Sequence, residues 1–337
     1  MRVVAAVDKF RGTASAAEVA AAIGHACWEL GHDCDEVPMA DGGEGLLEVL
    51  GGANRRTTVT GPLGDPVDAE WRLHRGVAVI EMAQASGLAL IGGAAANDPM
   101  AASTTGVGEL IDHALTAGVK RIIVGLGGSA TTDGGLGAIR AIHAPARLRN
   151  VELLVACDVT TRFRDAAAVF APQKGASGAQ VEMLTRRLER LAQLYRDEYG
   201  VDVEQLDGSG AAGGLAGGMA ALGGDLVAGF ELVADELHLA DRLDGAGLVI
   251  TGEGHVDAQS FAGKVVGGVA EYAAQASVPV HVIAGIADTD VRHRLPTSTL
   301  VEAFGEERAL REPLWCVEQL ALSLLSSSPP SRPPAAP

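Results

Sequence analysis

The sequence predicts an α/β protein whose strands form a largely parallel sheet. Short apolar runs rich in β-branched residues alternate along the chain with longer segments in which apolar residues have helical spacing. Clusters of glycine and acidic residues follow several of the apolar runs. Glycine accounts for 44 of the 337 residues, close to twice the usual share, which indicates many tight loops.

The first strand is expected at Arg2–Val7 and the first helix at residues 15–30. Ser15 and Glu18 have the spacing of a capping box that begins a helix, and Gly31 is suited to end it. Further strands are expected at Arg56–Thr60, Ala69–Leu73, Val77–Met82, Arg121–Gly125, Val151–Ala156, Leu248–Thr251, Val280–Ala284 and Thr299–Phe304. The other helices are expected at 103–117, 179–197, 262–276 and 312–325.

The segment GPLGDPVD at 61–68 interrupts this alternation, and two hairpin-like strands follow it. We therefore expect a discontinuous α/β domain made of residues 1–62 and 262–325, with a second α/β domain, residues 63–261, inserted into it. From Ser326 the chain reads SSSPPSRPPAAP, which offers no apolar face, so 326–337 is expected to be a disordered tail.

Composition excludes several classes of function. The formal net charge of −17 disfavours nucleic acid and anionic membranes, because both are bound through neutralisation of phosphate by Lys and Arg. The first apolar run meets Asp8 too early for a signal peptide, and no segment approaches the length of about 18 apolar residues that a membrane span needs. Four cysteines without metal-site spacing indicate free thiols, which favours a cytoplasmic protein. A homo-oligomer is left open.

Five glycine and acidic clusters follow predicted strands: DKFRGT (8–13), ADGGEG (40–45), GLGGSATTDGG (125–135), CDVTT (157–161) and TGEGHVD (251–257). Ligands in open α/β sheets bind at the carboxyl ends of strands, so these loops are expected to converge. Each cluster alone is better explained by an ordinary turn between a strand and a helix. Five such clusters with acidic residues are harder to explain in that way. Carboxylates beside backbone amides suit a magnesium ion held between protein and phosphate.

Lysine usage points the same way. The chain has 22 arginines and four lysines, and Lys9, Lys174 and Lys264 lie in polar or glycine-bearing loops. A compact ammonium suits a phosphate where a guanidinium would not fit. Lys120, by contrast, is expected to be a cation at the end of a helix. The alternative is that four lysines are too few to support this argument and that the loop lysines are ordinary exposed ones.

The ordered set of motifs resembles bacterial type I glycerate kinases. It comprises DKFRGT, PMADGGEG (38–45), GLGGSATTDGG, CDV (157–159), FAPQKGA (170–176), GSGAAGGLAGG (208–218) and TGEGHVDAQSFAGK (251–264), and it extends from residue 1 to about residue 305. The resemblance implies phosphorylation of D-glycerate by ATP, commonly at the 2-hydroxyl, with Mg²⁺. It also implies two α/β domains, one inserted into the other, with the active site in the cleft between them.

The resemblance and the residue chemistry together nominate site residues. The candidate catalytic residues are Asp8, Lys9, Asp158, Lys174, Glu253 and Lys264. The candidate substrate-binding residues are Arg11, Asp41 and Glu44. The candidate nucleotide-binding residues are Gly127, Gly128, Ser129, Thr131, Gly252 and Gly254. The candidate magnesium ligands are Asp133 and Asp257, although Asp133 suits the start of the following helix equally well.

Two alternatives accompany the kinase hypothesis. Between GLGGSATTDGGLGAIRAIHA (125–144) and the strand that leads to CDV the chain has only PARLRN (145–150), where the family usually has a longer stretch. A protein that keeps the ligand sites but senses ligands without turnover is therefore a second hypothesis. A kinase for another small hydroxy acid is a third.

Overall fold

The computed structural model describes residues 1–10, 12–261 and 263–327. The chain divides into two compact units. The first unit contains Met1–Asp41 and Val233–Pro337, and the second contains Gly42–Leu232. Of the expected disordered tail, Ser326 and Ser327 belong instead to the last described helix, which ends at Ser327, and residues 328–337 lie outside the described residues.

Thirteen strands and fourteen helices are named here in chain order. The strands are β1 (Arg2–Ala5), β2 (Asp33–Glu36), β3 (Arg55–Thr60), β4 (Pro66–His74), β5 (Val77–Glu81), β6 (Arg121–Gly125), β7 (Glu152–Cys157), β8 (Asp225–Ala228), β9 (Leu248–Thr251), β10 (His255–Val256), β11 (Val280–Ala284), β12 (Ile286–Ala287) and β13 (Thr297–Thr299). The helices are α1 (Ala16–Glu29), α2 (Leu46–Val49), α3 (Ala83–Ser86), α4 (Thr105–Thr116), α5 (Leu136–Ala141), α6 (Ala166–Phe170), α7 (Gly178–Tyr199), α8 (Ala211–Ala221), α9 (Gly229–Glu236), α10 (Leu239–Leu243), α11 (Val265–Gln275), α12 (Leu300–Phe304), α13 (Glu306–Arg311) and α14 (Pro313–Ser327).

The first unit is built on a parallel sheet with the strand order β13-β11-β9-β1-β2. The residues of β1 from Val3 onward are fully buried, as expected for a central strand covered on both faces. Helices α1 and α14 contribute to the core on one face of this sheet. The capping box at Ser15 and Glu18 is present, with each side chain accepting a backbone N–H of the other residue.

The second unit contains a six-stranded sheet with the order β3-β4-β5-β6-β7-β8. Strands β3, β4 and β5 pair antiparallel, and the pairs from β5 to β8 are parallel. A single large core fills this unit, with α4, α7 and α8 supplying much of its apolar surface. The expected α/β class with largely parallel sheets is confirmed.

Helix α8 contains an irregular turn. Ala212, Gly213 and Gly214 have left-handed backbone angles, with φ of 53°, 69° and 89°. A Cβ added to Gly213 would lie 2.0 Å from the carbonyl oxygen of Thr131, and one added to Gly214 would lie 2.9 Å from the Cα of Gly134. The two glycine-rich segments therefore touch backbone to backbone.

The structure corrects two further expectations about the elements. The units meet at 41/42 and 232/233 rather than at 62/63 and 261/262, because β3 pairs with β4 and β9 pairs with β1 and β11. Residues 299–304, expected as a strand, form α12 instead, since Thr299 caps the backbone N–H of Glu302. Within the described residues no helix is both long and apolar enough to cross a membrane.

Candidate functional site

In the first unit, several candidate residues lie where β1 and β9 end. The backbone N–H of Asp8 donates to the carbonyl of Gly252, which joins the two loops. The Asp8 carboxylate accepts the backbone N–H of Lys9 at 2.7 Å. Burial and the neighbouring charges of Asp41 and Glu253 together raise the pKa of Asp8 to about 7, against the opposing hydrogen bond and charge of Lys9. Asp41 and Glu253 are therefore close enough to affect the ionisation of Asp8.

Glu253 is the second acid of this group whose pKa is perturbed. Burial raises its pKa, while a hydrogen bond with Ser260 and the charge of Lys264 favour the ionised form. Its Oε1 is buried, and no partner for it exists among the described residues. A buried carboxylate oxygen without a donor is costly, so this position is suited to a cation or a ligand proton.

The other candidates of the first unit have contacts that explain them structurally. Asp257 accepts the backbone N–H groups of Gln259 and Ser260, at 2.7 and 3.1 Å, which closes its own loop. A Cβ on Gly252 would lie 1.8 Å from the carbonyl oxygen of Ile283, so packing against β11 already requires glycine there. The carbonyl of Gly254 accepts a backbone hydrogen bond from Ile286. Arg11 lies outside the described residues.

In the second unit, the loop after β6 is held by Lys174. The Lys174 side chain is only 3% exposed, and its ammonium donates to Ser129 Oγ at 2.7 Å and to the carbonyl of Thr131 at 2.6 Å. Burial lowers its pKa to about 7, while the charge of Asp133 acts in the opposite direction. Lys174 is therefore not an ordinary exposed loop lysine, because its ammonium is held inside the protein.

A cavity of 360 Å³ opens beside this lysine. It is lined by Leu88, Leu126, Gly127, Gly128, Ser129, Asp158, Val159, Phe170, Gln173, Lys174, Ala211 and Ala212. Gly128 is exposed, has a φ of 62°, and a Cβ there would meet nothing closer than 3.6 Å. The first part of the loop is thus open to a ligand, and five of the expected site residues meet at this one cavity.

The remaining glycines of the loop serve packing. A Cβ on Gly125 would lie 2.6 Å from the side chain of Leu46, and one on Gly135 would lie 3.0 Å from the Cα of Gly218. A Cβ on Gly127 would lie 3.1 Å from the backbone nitrogen of Glu44, which brings the exposed Glu44 next to the loop. Much of the glycine richness therefore reflects close approach of backbones.

Asp133 joins the starts of two helices. Its carboxylate accepts the N–H and hydroxyl of Thr104, at 2.9 and 2.8 Å, and the N–H groups of Gly135 and Gly137, at 3.1 and 3.2 Å. Thr104 is the N-cap of α4, and Gly137 lies in the first turn of α5. These contacts support the helix-start interpretation and leave the metal interpretation of Asp133 without support.

The two threonines before Asp133 are also fully buried, and neither hydroxyl oxygen has a partner among the described residues. Thr131 meets Lys174 through its carbonyl rather than its hydroxyl. The expected contact of the Thr131 hydroxyl with phosphate has no counterpart in the lining of the cavity.

Two residues that the sequence analysis did not single out shape these loops. Asn97 donates from Nδ2 to the carbonyls of Ala130 and Lys174, at 3.0 and 2.9 Å, and so ties the two loops together. Glu81 is 6% exposed and accepts the N–H groups of Gly45 and Leu47, at 3.0 and 2.8 Å. A charged residue directly after the buried run VAVI was the available signal for Glu81.

No three His, Cys, Asp or Glu side chains in the described part of the chain are arranged as a complete metal site. Mg²⁺ usually takes only one or two protein carboxylates and completes its shell with water and substrate phosphates. The acids around Asp8 fit that chemistry better than a closed protein cage.

Comparison with known proteins agrees with the motifs. The model of the glycerate kinase family matches residues 3–146 and 142–312. The glycerate 2-kinase of Escherichia coli (strain K12) is 40% identical over 331 residues, covering 86% of this chain and 87% of that protein. The glycerate kinase of Bacillus subtilis (strain 168) is 38% identical over 330 residues, covering 86% of each chain.

A solved structure has the same fold. The crystal structure from Salmonella typhimurium LT2, provisionally described as glycerate kinase 2, matches with a TM-score of 0.82 and 37% identity, covering 97% of this chain and 98% of that one. The chain therefore belongs to the glycerate kinase family, as its motifs predict.

Proposed function

We propose that the protein transfers the γ-phosphoryl group of ATP to D-glycerate, with 2-phosphoglycerate as product and Mg²⁺ as cofactor. Membership of the family supports the reaction, and the name of the Escherichia coli relative supports the 2-position. The observation that carries the proposal is Asp8, a buried carboxyl with a pKa near neutrality beside Asp41 and Glu253. Such a group can accept a hydroxyl proton at physiological pH.

The first unit supplies the acceptor chemistry. Asp8 is the general base, because a pKa near 7 leaves much of it as carboxylate at neutral pH and makes that carboxylate basic enough to accept the hydroxyl proton. Lys9 and Lys264, whose charges act on Asp8 and Glu253, offset the negative charge of the acids and of the glycerate carboxylate. Arg11 is adjacent in sequence and is assigned to the same carboxylate.

The second unit supplies donors for phosphate. The backbone at Gly127 and Gly128, the hydroxyl of Ser129 and the anchored ammonium of Lys174 line one cavity. Donors fixed in advance stabilise a transferring phosphoryl group without reorganising during the reaction. Lys174 contributes by holding Ser129 in place as much as by its own charge.

The magnesium role falls to Asp41 and Glu253. Both are carboxylates beside Asp8, and the unpartnered Oε1 of Glu253 is the observation that fits a cation. When bound, Mg²⁺ would neutralise phosphate charge. The free cysteines among the described residues favour the reducing cytoplasm as the location.

The test is release of ADP on addition of D-glycerate to the protein with ATP and Mg²⁺, followed by phosphorus NMR of the product. The Asp8→Asn variant should lose the activity, and Asp241→Asn, an exposed acid of the same unit, should keep it. ATP binding without ADP release would favour the ligand-sensing alternative. Turnover with another hydroxy acid but not with glycerate would favour the third hypothesis.

A further inference from the structure

Four arginines of the second unit line two adjacent cavities. Arg140 and Arg187 line a cavity of 380 Å³, and Arg186, Arg187 and Arg190 line one of 550 Å³. Arg187 lines both, so the two cavities adjoin at this residue and are together called here the arginine groove. It shares no lining residue with the cavity beside Lys174.

The charge of the groove is unusual for this chain, whose formal net charge is −17. Residues 186, 187 and 190 are neighbours on one face of α7, at helical spacing. None of the four arginines forms an ion pair with a carboxylate of the described residues. Arg187 donates through Nη1 to the carbonyl of Met100 at 3.0 Å, which fixes its direction while other donors remain. The four acids of the same helix do not line the groove; they are Glu182, Glu189, Asp197 and Glu198.

The two ends of the groove differ in polarity. The end near Arg140 carries the hydroxyls of Ser103 and Thr105, which lie 2.8 Å apart. Asp133 also lines this end, but its carboxylate is satisfied by the donors at the helix starts described above. The other end is lined by methionine and leucine beside its arginines, namely Met100, Met183, Leu191 and Leu194.

We propose that the arginine groove binds a small molecule that carries a phosphate group and an apolar portion. A guanidinium group can donate two parallel hydrogen bonds to the oxygens of a phosphate. Several guanidinium groups without carboxylate partners repel each other in one groove, and a bound phosphate would offset that repulsion. The methionines and leucines offer the apolar portion a surface to cover. Both cavities fall within the range of roughly 300–1,000 Å³ typical of small-molecule sites. The groove shares no lining residue with the Lys174 cavity, to which the phosphate donors of the proposed reaction belong, so its ligand is distinct from the phosphate held there.

Phenyl phosphate is the probe, because it combines a phosphate with an apolar ring. Calorimetric titration at constant ionic strength should show saturable binding, tighter than that of inorganic phosphate. Arg187→Gln and Arg190→Gln should each weaken the affinity about tenfold or more, the loss expected for one charge-assisted contact. Arg149→Gln, an exposed arginine of the same unit outside the groove, is the matched control and should bind as the wild type does. Thermal melts of all variants verify folding.

A second variant distinguishes binding in the arginine groove from binding in the Lys174 cavity. Lys174→Met should retain the affinity for phenyl phosphate if the groove is the site. Equal affinities in Arg187→Gln and Arg149→Gln, or loss of binding in Lys174→Met, would overturn the inference. The kinase assay is independent of this binding test. Without the probe, the arginine variants should release ADP at the wild-type rate. If the wild type proved inactive with glycerate, the binding result would still hold.

Discussion

Replacing Lys174 by methionine deletes a buried charge while keeping most of the side-chain volume. The wild-type ammonium is 3% exposed and is bound by Ser129 and the carbonyl of Thr131. Burial lowers its pKa from 10.5 to about 7. The variant therefore loses two hydrogen bonds, and it also loses a group whose protonation opposes folding.

The pH dependence of this change has a definite sign. Unfolded Lys174 holds its proton up to about pH 10, whereas in the folded protein it releases the proton near pH 7. Protonated Lys174 thus costs stability below pH 7, and the cost disappears as the pH rises from 7 toward 10.5. The free energy of unfolding of the wild type, relative to Lys174→Met, should rise by about 2 kcal/mol between pH 7 and pH 9.

Urea unfolding at pH 7, 8 and 9 measures this difference. Trp71 is the one tryptophan of the second unit and is 4% exposed, so its fluorescence reports that unit once Trp28 and Trp315 are replaced by phenylalanine. Lys120→Met, at an exposed lysine of the same unit, is the control and should show no pH-dependent difference. A difference between wild type and Lys174→Met that stays constant from pH 7 to 9 would refute the burial of a titrating lysine.

Three further outcomes are expected. Asp8→Asn should lower ADP release by at least about a hundredfold. It should also raise the melting temperature at pH 8 but not at pH 4, because the raised pKa means that ionising Asp8 costs stability, and this cost grows from pH 4 to above pH 7. Equal melting temperatures of variant and wild type at pH 8 would contradict this. Gly213→Ala should destabilise the protein by about 3 kcal/mol or more in urea unfolding, because the added Cβ meets the carbonyl of Thr131. Gly223→Ala, at a φ of 89° with open space around it, is the control and should cost only about 1 kcal/mol. Similar losses in the two variants would show that the contact at Gly213 is not tight. Asp133→Asn should cost about 2–3 kcal/mol of stability, measured by the same unfolding, and the loss should be the same with and without Mg²⁺ because the carboxylate holds helix starts. A loss that is larger in Mg²⁺, through stabilisation of the wild type alone, would return Asp133 to the metal.

The sequence predicts the parts of the molecule whose signals are local. The capping box at Ser15 and the central strand β1 form as their residues indicate. Residues 299–304 look like a strand because Thr, Leu and Val favour strands, but the Thr299 side chain caps Glu302 and begins a helix. Strand β2, DCDE, is polar and was not expected; pairing with β1 rather than apolar content makes it a strand.

The candidate site depends on partners distant in sequence. PQKGA shows a loop lysine, but the burial of Lys174 comes from Ser129 and Thr131, more than 40 residues earlier. Asp133 resembles a metal ligand until Thr104, 29 residues away, is seen to occupy its carboxylate. Contacts of this kind form only in the folded chain, and no local sequence pattern predicts them.

The left-handed turn at 212–214 has a consequence for the exchange of segments between related proteins. Its glycines lie against the backbone of residues 131–134, which leaves no room for a side chain at Gly213 or Gly214. Recombination that imports one glycine-rich segment with a bulkier residue at the contact would therefore fail unless its counterpart came with it. The two segments, about 80 residues apart, are inherited in effect as a single module, and crossover points in any chimera should fall outside the span from 125 to 218.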